Sequence, residues 1–423
     1  MQHILSAMIV QSTETDRAWF EGDLMDRFLR YVRVHTTSDP HSSSTPSTER
    51  QFDLARMLEA ELRSLGLTDV TLDEQCRLIA RVPATGAGAP IGLMAHVDTA
   101  PDFSGENVNP RVHERYDGGV IELGGGFTLD PAEYPMLSRY TGETVITTDG
   151  STLLGADDKA GVAEIMTAVA YLLAHPEIPH PEIEVIFTSD EETGRGMDGF
   201  PVEKLRSGFC FTIDGTDEGG VEAECFTAYK ATVSFTGYSI HPGSARGKLA
   251  NATSMAATFI AMLPRSESPE ATDERYGFYC ATEVTGGISK ASATIILRDF
   301  DHDTVKRRIE YLEQLARTIE GSFPGGSVDV HVDRQYLNMA DFLAPHPQVL
   351  ERVRQAIAAT GMEPIMHRVR GGTDGARLSE RGIPTPNIFT GGQNLHGRYE
   401  WIALPAMVRA SRTIVNLVQL FVG

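Results

Sequence analysis

The sequence predicts an α/β protein, a mostly parallel sheet covered by helices and interrupted by an inserted α+β domain. Three observations carry this. Apolar, β-rich runs alternate with amphipathic helical segments toward both ends of the chain. The runs at 91–95, 183–188 and 209–213 are almost continuously apolar, as strands buried on both faces are. Between the two α/β stretches the predicted order changes to βαββαβ. The expected division is a discontinuous first domain, 1–225 and 338–423, with residues 226–337 inserted into it.

Each element has its own signal. Leu24, Phe28, Leu29 and Val32, with charges between them, predict a helix over 20–34. A polar loop leads into a second helix, 51–65, and then a strand, 78–82. The next run, IGLMAHVD at 91–98, is apolar until it meets His96 and, two residues on, Asp98. Residues i and i+2 of a strand face the same side, so His96 can offer one ring nitrogen to a metal while Asp98 steadies the ring. A buried histidine paired with an acid for structural reasons has the same sequence. Segment 101–148 is irregular and glycine-rich, a long decorated loop of the kind that carries function.

Val162, Ile165, Met166, Val169, Leu172 and Leu173 recur at helical spacing and place a helix start near Lys159, with Asp157 and Asp158 just ahead of it. Either aspartate suits an N-cap, and either suits a carboxylate that bridges two cations at the helix mouth. Strand 183–189 then delivers Asp190, Glu191 and Glu192 into a glycine-bounded turn, and the run 209–213 ends in Asp214. In the insertion, an alternating strand reaches His241 and is followed by a helix at 251–263. Strands at 281–285 and 292–299, a helix at 304–320 and a strand at 327–332 complete it. The first rhythm resumes with a helix at 348–360, a glycine-rich turn into a short helix, the strand-like PNIF that precedes His396, and a closing helix at 405–422.

Composition narrows the function. Fifty-eight acidic against 37 basic residues give a formal charge of −21, which opposes nucleic acid and anionic membranes and favours small molecules or peptides as partners. The four cysteines lie far apart without a CxxC pair, so neither a disulfide framework nor a thiolate zinc site is expected, and a reducing cytoplasm fits. The N-terminus lacks a basic n-region and no later run is apolar for long enough to span a bilayer, so a protein that is neither exported nor membrane-bound is expected.

In a parallel sheet, ligands gather at the carboxyl ends of the strands. His96, Glu192 and Asp214 are placed there, His396 follows a strand-like run, and Asp157 stands at a helix mouth nearby. These five nitrogen and oxygen donors suffice for two zinc ions sharing one carboxylate; the imidazoles favour zinc, with cobalt or manganese as substitutes. Glu191, adjacent to a ligand, is then placed to take a proton from the attacking water, with Asp98 as its supporting acid at His96. Asp190 keeps only the reading of a polar turn residue.

HVDT (96–99), PDFSGENVNP (101–110), LLGADDKAG (153–161), DEETG (190–194), HPG (241–243), RGGTDGA (370–376) and NIFTGGQNLHG (387–397) resemble, in the same order over nearly the whole chain, the peptidase T family of two-zinc aminotripeptidases. The resemblance implies His96, Asp157 (bridging), Glu192, Asp214 and His396 as zinc ligands, Glu191 as general base and Asp98 as supporting acid. It implies that the insertion is a lid, in which His241 stabilises the oxyanion and Asn251, Arg298 and Arg370 contact a substrate terminus. It implies tripeptide substrates and leaves room for a homodimer. An N-acyl amino acid or dipeptide amidohydrolase of the same superfamily is the alternative. One departure is the eighteen or so residues before Phe20, which the family's usual start lacks; a misplaced start or a tail is expected there.

Overall fold

The computed structural model describes residues 14–423, so most of the leading segment lies outside the described residues. Two compact units emerge. One comprises the chain up to Ala223 with Phe342–His367 and Thr373–Gly423; the other comprises Glu224–Asp341 and Arg368–Gly372. The sequence reading leaves 368–372, and with it Arg370, in the first domain, whereas the structure groups that segment with the second.

The chain begins with helices α1 (Glu14–Tyr31) and α2 (Gln51–Ser64), followed by strands β1 (Val70–Leu72), β2 (Leu78–Val82) and β3 (Ile91–His96). The irregular stretch that follows is built from short strands, β4 (Arg111–His113), β5 (Ile121–Glu122), β6 (Thr128–Leu129) and β7 (Val145–Thr147). Next come α3 (Ala156–Ala174), β8 (Ile183–Thr188), β9 (Phe209–Gly215) and β10 (Gly220–Cys225). The second unit supplies β11 (Thr227–Thr236), α4 (Ala252–Ala261), β12 (Phe278–Gly286), β13 (Lys290–Asp299), α5 (His302–Ser322) and β14 (Ser327–Tyr336). The chain closes with α6 (Pro347–Ala358), β15 (Ile365–Val369), α7 (Asp374–Glu380), β16 (Asn387–Phe389), β17 (Trp401–Ala403) and α8 (Leu404–Gln419).

The main sheet has eight strands in the order β1-β2-β8-β3-β9-β16-β10-β15. Its centre, β8-β3-β9-β16, is parallel, and antiparallel partners flank it, β2 against β8 and β10 against β16. Every residue of β3 and of β8 is buried, which is why those runs carry no polar alternation. Because the four central strands point the same way, the residues that end them emerge at one edge of the sheet. That shared edge is the first determinant of the site.

Helix α3 packs on β3, β9, α8 and α1 and is buried along almost its whole length. Gly161 lets it approach the sheet: a Cβ there would lie 1.8 Å from the carbonyl oxygen of Ile213 in β9. Any side chain would push the mouth of α3 away from the end of β9.

The second unit is a four-stranded antiparallel sheet, β12-β13-β11-β14, with α4 and α5 packed against it. Alternation along β13 (Ala291, Ala293, Ile295, Leu297) turns one face onto Met255 and Phe259 of α4 and Leu312, Leu315 and Ile319 of α5. Asp301 caps α5 by accepting the Thr304 amide, and Asn251 caps α4 by accepting those of Thr253 and Ser254.

Candidate active site

His96 is the last residue of β3. Its ring is 2% exposed and its Nδ1 lies 3.1 Å from the backbone carbonyl oxygen of Asp98 and 3.4 Å from Asp98 Oδ1. Donation from Nδ1–H to that carbonyl leaves Nε2 as the free ligand atom. Nε2 stands 3.0 Å from Asp157 Oδ1 and 3.5 Å from Asp214 Oδ1. On the other side, Asp157 Oδ2 is 3.0 Å from His396 Nε2, which is also 3.2 Å from Glu192 Oε2. Asp157 therefore divides its two oxygens between two imidazoles, each accompanied by a further carboxylate.

Local folding explains the adjacent aspartates. The backbone is not helical at Asp157 or Asp158, and the peptide bond between them is cis. Asp158, fully buried, turns inward: Oδ1 accepts the Gly161 amide and Oδ2 the His96 amide, both at 3.2 Å. The capping role thus falls to Asp158, and Asp157 faces the histidines.

Asp98, also fully buried, accepts the amides of Glu191 at 3.0 Å and Glu192 at 3.2 Å, one on each carboxylate oxygen. It fixes the acidic turn as well as standing beside the His96 ring. The Glu191 side chain lines a small cavity with His96, Thr188, Thr212, Asp214 and Asp374. Asp374 in turn accepts a hydrogen bond from Thr188 at 2.7 Å.

Asp190 corrects the sequence reading. It is no solvated turn residue: it is fully buried in the left-handed region (φ 60°) and accepts from the Ser47 amide and hydroxyl and from Gln51 Nε2, while its own amide donates to Gln51 Oε1. It ties the acidic turn to the start of α2. The partners lie 139 to 143 residues earlier, so no local pattern announces them.

The charge state of the cluster follows from crowding. Burial opposes the His96 cation, but Asp214 and hydrogen bonds to Asp157, Asp214 and Asp98 hold its proton well above the ordinary range. Hydrogen bonds to Asp157 and Glu192 push His396 up to about 11. Burial and neighbouring acids push Glu192 up to about 8 and Asp214 up to about 6, and burial raises Glu191 well above its ordinary value. Burial works against the Asp157 anion too, yet the two imidazoles hold it below the usual carboxylate range.

These residues fit a divalent cation pair. Among the described residues no Lys or Arg forms an ion pair with Asp98, Asp157, Asp158, Glu191, Glu192, Asp214 or Asp374. Glu192 Oε1 is buried with no hydrogen-bond partner. Such acid without a fixed cation is costly unless something positive is bound or protons are retained. His96, Asp157 and Glu192 place one donor atom each within 4.8 Å of one another, as do His96, Asp158 and Asp214.

Two further acids escaped the sequence reading. Glu222 accepts from Asn387 Nδ2 at 2.6 Å, and Asn387 Oδ1 accepts the Asp214 amide at 3.1 Å, so the pair steadies the end of β9. Glu400, in the loop after His396, accepts backbone amides at the mouth of α3. The sequence signal available for Glu400 is a single acid abutting the apolar run WIAL, a place where charge is not left unpartnered.

Of the residues expected to contact substrate, His241, Asn251, Arg298 and Arg370 lie in the second unit. His241 is exposed and its Nδ1 accepts the Gly243 amide. Asn251 uses its carbonyl oxygen as a helix cap. Arg298 donates to the carbonyls of Tyr229 and Leu297, and Arg370 donates to Thr272, Glu274 and Tyr276 beside the rings of Phe226 and Phe278.

Comparison with known proteins sets this geometry in a family. The model for peptidase family M20/M25/M40 matches residues 148–420. A peptidase T of Clostridium perfringens strain 13 is 46% identical over 94% of this chain and 98% of its own, and one from Bacillus velezensis is 45% identical over 95% and 99%. The chain belongs to the peptidase T family. It is therefore a hydrolase of peptide bonds. A crystal structure of aminopeptidase PepT from Bacillus cereus superposes with a TM-score of 0.75 at 23% identity, covering 95% of this chain and 99% of that one. A tripeptidase from Staphylococcus aureus gives 0.76 at 21%, over 95% and 98%. These two likenesses establish the peptidase T fold, with its mixed α/β main sheet. Among the described residues no helix is long and apolar enough to cross a membrane.

Proposed function

We propose that this member of the peptidase T family removes the N-terminal residue from tripeptides with two divalent cations, preferably zinc, held by His96, Asp157, Glu192, Asp214 and His396. The observation that carries the reading is the division of Asp157, whose oxygens lie 3.0 Å from His96 on one side and 3.0 Å from His396 on the other. His96 and Asp214 would hold one ion, His396 and Glu192 the other, with Asp157 between. A related M20 peptidase from Bacillus subtilis is described as dinuclear and metal-binding. The imidazoles favour zinc over harder ions; cobalt or manganese would substitute. When bound, such ions polarise the scissile carbonyl and acidify water.

This chain's own groups do the rest. Glu191, its backbone pinned by Asp98, accepts a proton from the attacking water and returns it to the departing amine. Its place in the small cavity beside His96 and Asp214 suits both transfers. Asp98 holds the turn in register with His96. His241 is the proposed oxyanion donor, and Asn251, Arg298 and Arg370 the proposed contacts for a substrate terminus, on a unit acting as a lid. For Arg298 and Arg370 that role would add to the carbonyl contacts they already make. The alternative, an N-acyl amino acid or dipeptide amidohydrolase, is not favoured, because the close relatives are peptidase T. Four free cysteines accord with a cytoplasmic location.

The test is chelation followed by zinc add-back, with tripeptides, dipeptides and acetyl-amino acids assayed in parallel and the products identified by mass. Loss and recovery of N-terminal cleavage on tripeptides is expected. Undiminished activity in metal-free protein, or faster turnover of blocked amines, would overturn the proposal.

A further inference from the structure

Within helix α3 the Asp158 cap reaches only the Gly161 amide. Gly155 stands at its N-cap position in the left-handed conformation, and the first turn should leave orphan amides. The amides of Leu154 and Gly155, just ahead of the helix, and of Asp157 in its first turn are satisfied from 243 to 246 residues away. Glu400 Oε2 accepts Leu154 N–H at 2.6 Å and Gly155 N–H at 2.8 Å, and its Oε1 accepts Asp157 N–H at 3.2 Å. The carboxylate is 1% exposed, and the buried Lys159 of the same first turn feels its charge. Its own segment is held by the Gln393 and Trp401 amides, which exchange hydrogen bonds with each other's carbonyls at 2.9 and 3.1 Å, and by the Glu400 amide bonded to Gly397.

A helix cap needs only a nearby acceptor, and Ser, Thr, Asn or Asp at the cap position would serve. Here the acceptor arrives on the loop that carries His396, four residues earlier in the chain, and one of its three bonds goes to the amide of Asp157 itself. The two loops so joined hold the two sides of the 3.0 Å approach between Asp157 Oδ2 and His396 Nε2. We infer that Glu400 is a positioning residue for the metal centre, fixing Asp157 relative to His396 so that one carboxylate can serve two ions. The inference rests on the proposed roles of those two residues.

Glu400→Gln keeps the shape but turns an amide group toward N–H donors. Glu400→Asp keeps the charge and retracts it by about 1.5 Å, too far to reach all three amides. Zinc is titrated into the metal-free full chain against a competing chelator. Cobalt spectra report the ligand geometry, and metal-free melts report folding. Glu400→Gln is expected to bind zinc about 10- to 100-fold more weakly, to give an altered cobalt spectrum, and to lose kcat with KM nearly unchanged; Glu400→Asp should fall between it and the wild type. Wild-type zinc affinity in either folded variant overturns the inference, even if the metal-free melt has dropped, since that pattern marks a purely structural cap. Should Glu400→Gln not fold, the affinity of Glu400→Asp decides. The wild-type arm separates the two levels: fewer than two ions per wild-type chain refutes the two-metal reading and this inference with it.

Discussion

The carboxylate of Asp98 accepts the backbone amide of Glu191 at 3.0 Å. The proposed base is thus held through its main chain by an acid two residues beyond a proposed ligand, and the side chain stays free to move a proton. Glu191→Gln removes only that capacity. It should keep both metals and the fold while kcat falls by about 10²- to 10⁴-fold; steady-state kinetics beside metal analysis checks this, and normal turnover would show the base to be elsewhere.

Asp98→Ala strips the acceptor from two amides and the carboxylate from beside the His96 ring. Metal affinity should drop by about 10- to 100-fold, and activity at limiting zinc should drop with it. A variant that titrates like the wild type would confine Asp98 to a passive role.

The metal-free protein should lose stability as pH rises. Glu192 and Asp214 titrate at about 8 and about 6 in the fold against 4.5 and 3.8 when unperturbed, so between those values the folded state holds more protons than the unfolded chain. Stability then falls with pH across roughly pH 4 to 8. His396, raised from 6.5 to about 11, contributes stability that is complete below 6.5 and lost toward 11, the same direction. Lys159, lowered by burial from 10.5 to about 7, acts oppositely above 7. Thermal melts of chelated protein at about pH 5.5 and 7.5 should show the lower midpoint at the higher pH. Zinc should reverse the order, because its binding displaces those protons. A rising midpoint without metal would contradict the assignment.

Asp190→Ala should cost about 2–3 kcal/mol in urea unfolding, the effect of leaving Ser47 and Gln51 donors buried without their charged acceptor. Activity should fall only as far as the acidic turn loosens. A neutral unfolding result would mean that the pocket refills with water.

How much was legible depended on how far each partner lies along the chain. β3 and β8 were readable because strands buried on both faces must be apolar throughout, and the parallel centre of the sheet followed from their alternation with helices. Parallel strands gather their ends at one edge, and His96, Asp157, Asp214, His396 and Glu192 approach one another in a chain of contacts of 3.0 to 3.5 Å. Asp190 was misjudged because three adjacent acids look alike until the backbone aims each one, and its aim depends on α2. β10 was passed over, its alternation Gly220–Cys225 too short to stand out beside the change of domain. Glu400 and Asp374 were silent for the same reason as Asp190: their partners lie at least 186 residues away.

The place of β16 sets a timetable for synthesis. That strand lies between β9 and β10, although both are made more than 160 residues before it. A nascent chain can assemble β3, α3 and β8 as they emerge, but the middle of its sheet stays open until Asn387–Phe389 arrives, and His396 follows seven residues after that strand. The same late stretch of polypeptide therefore closes the sheet and brings His396 to within 3.0 Å of Asp157.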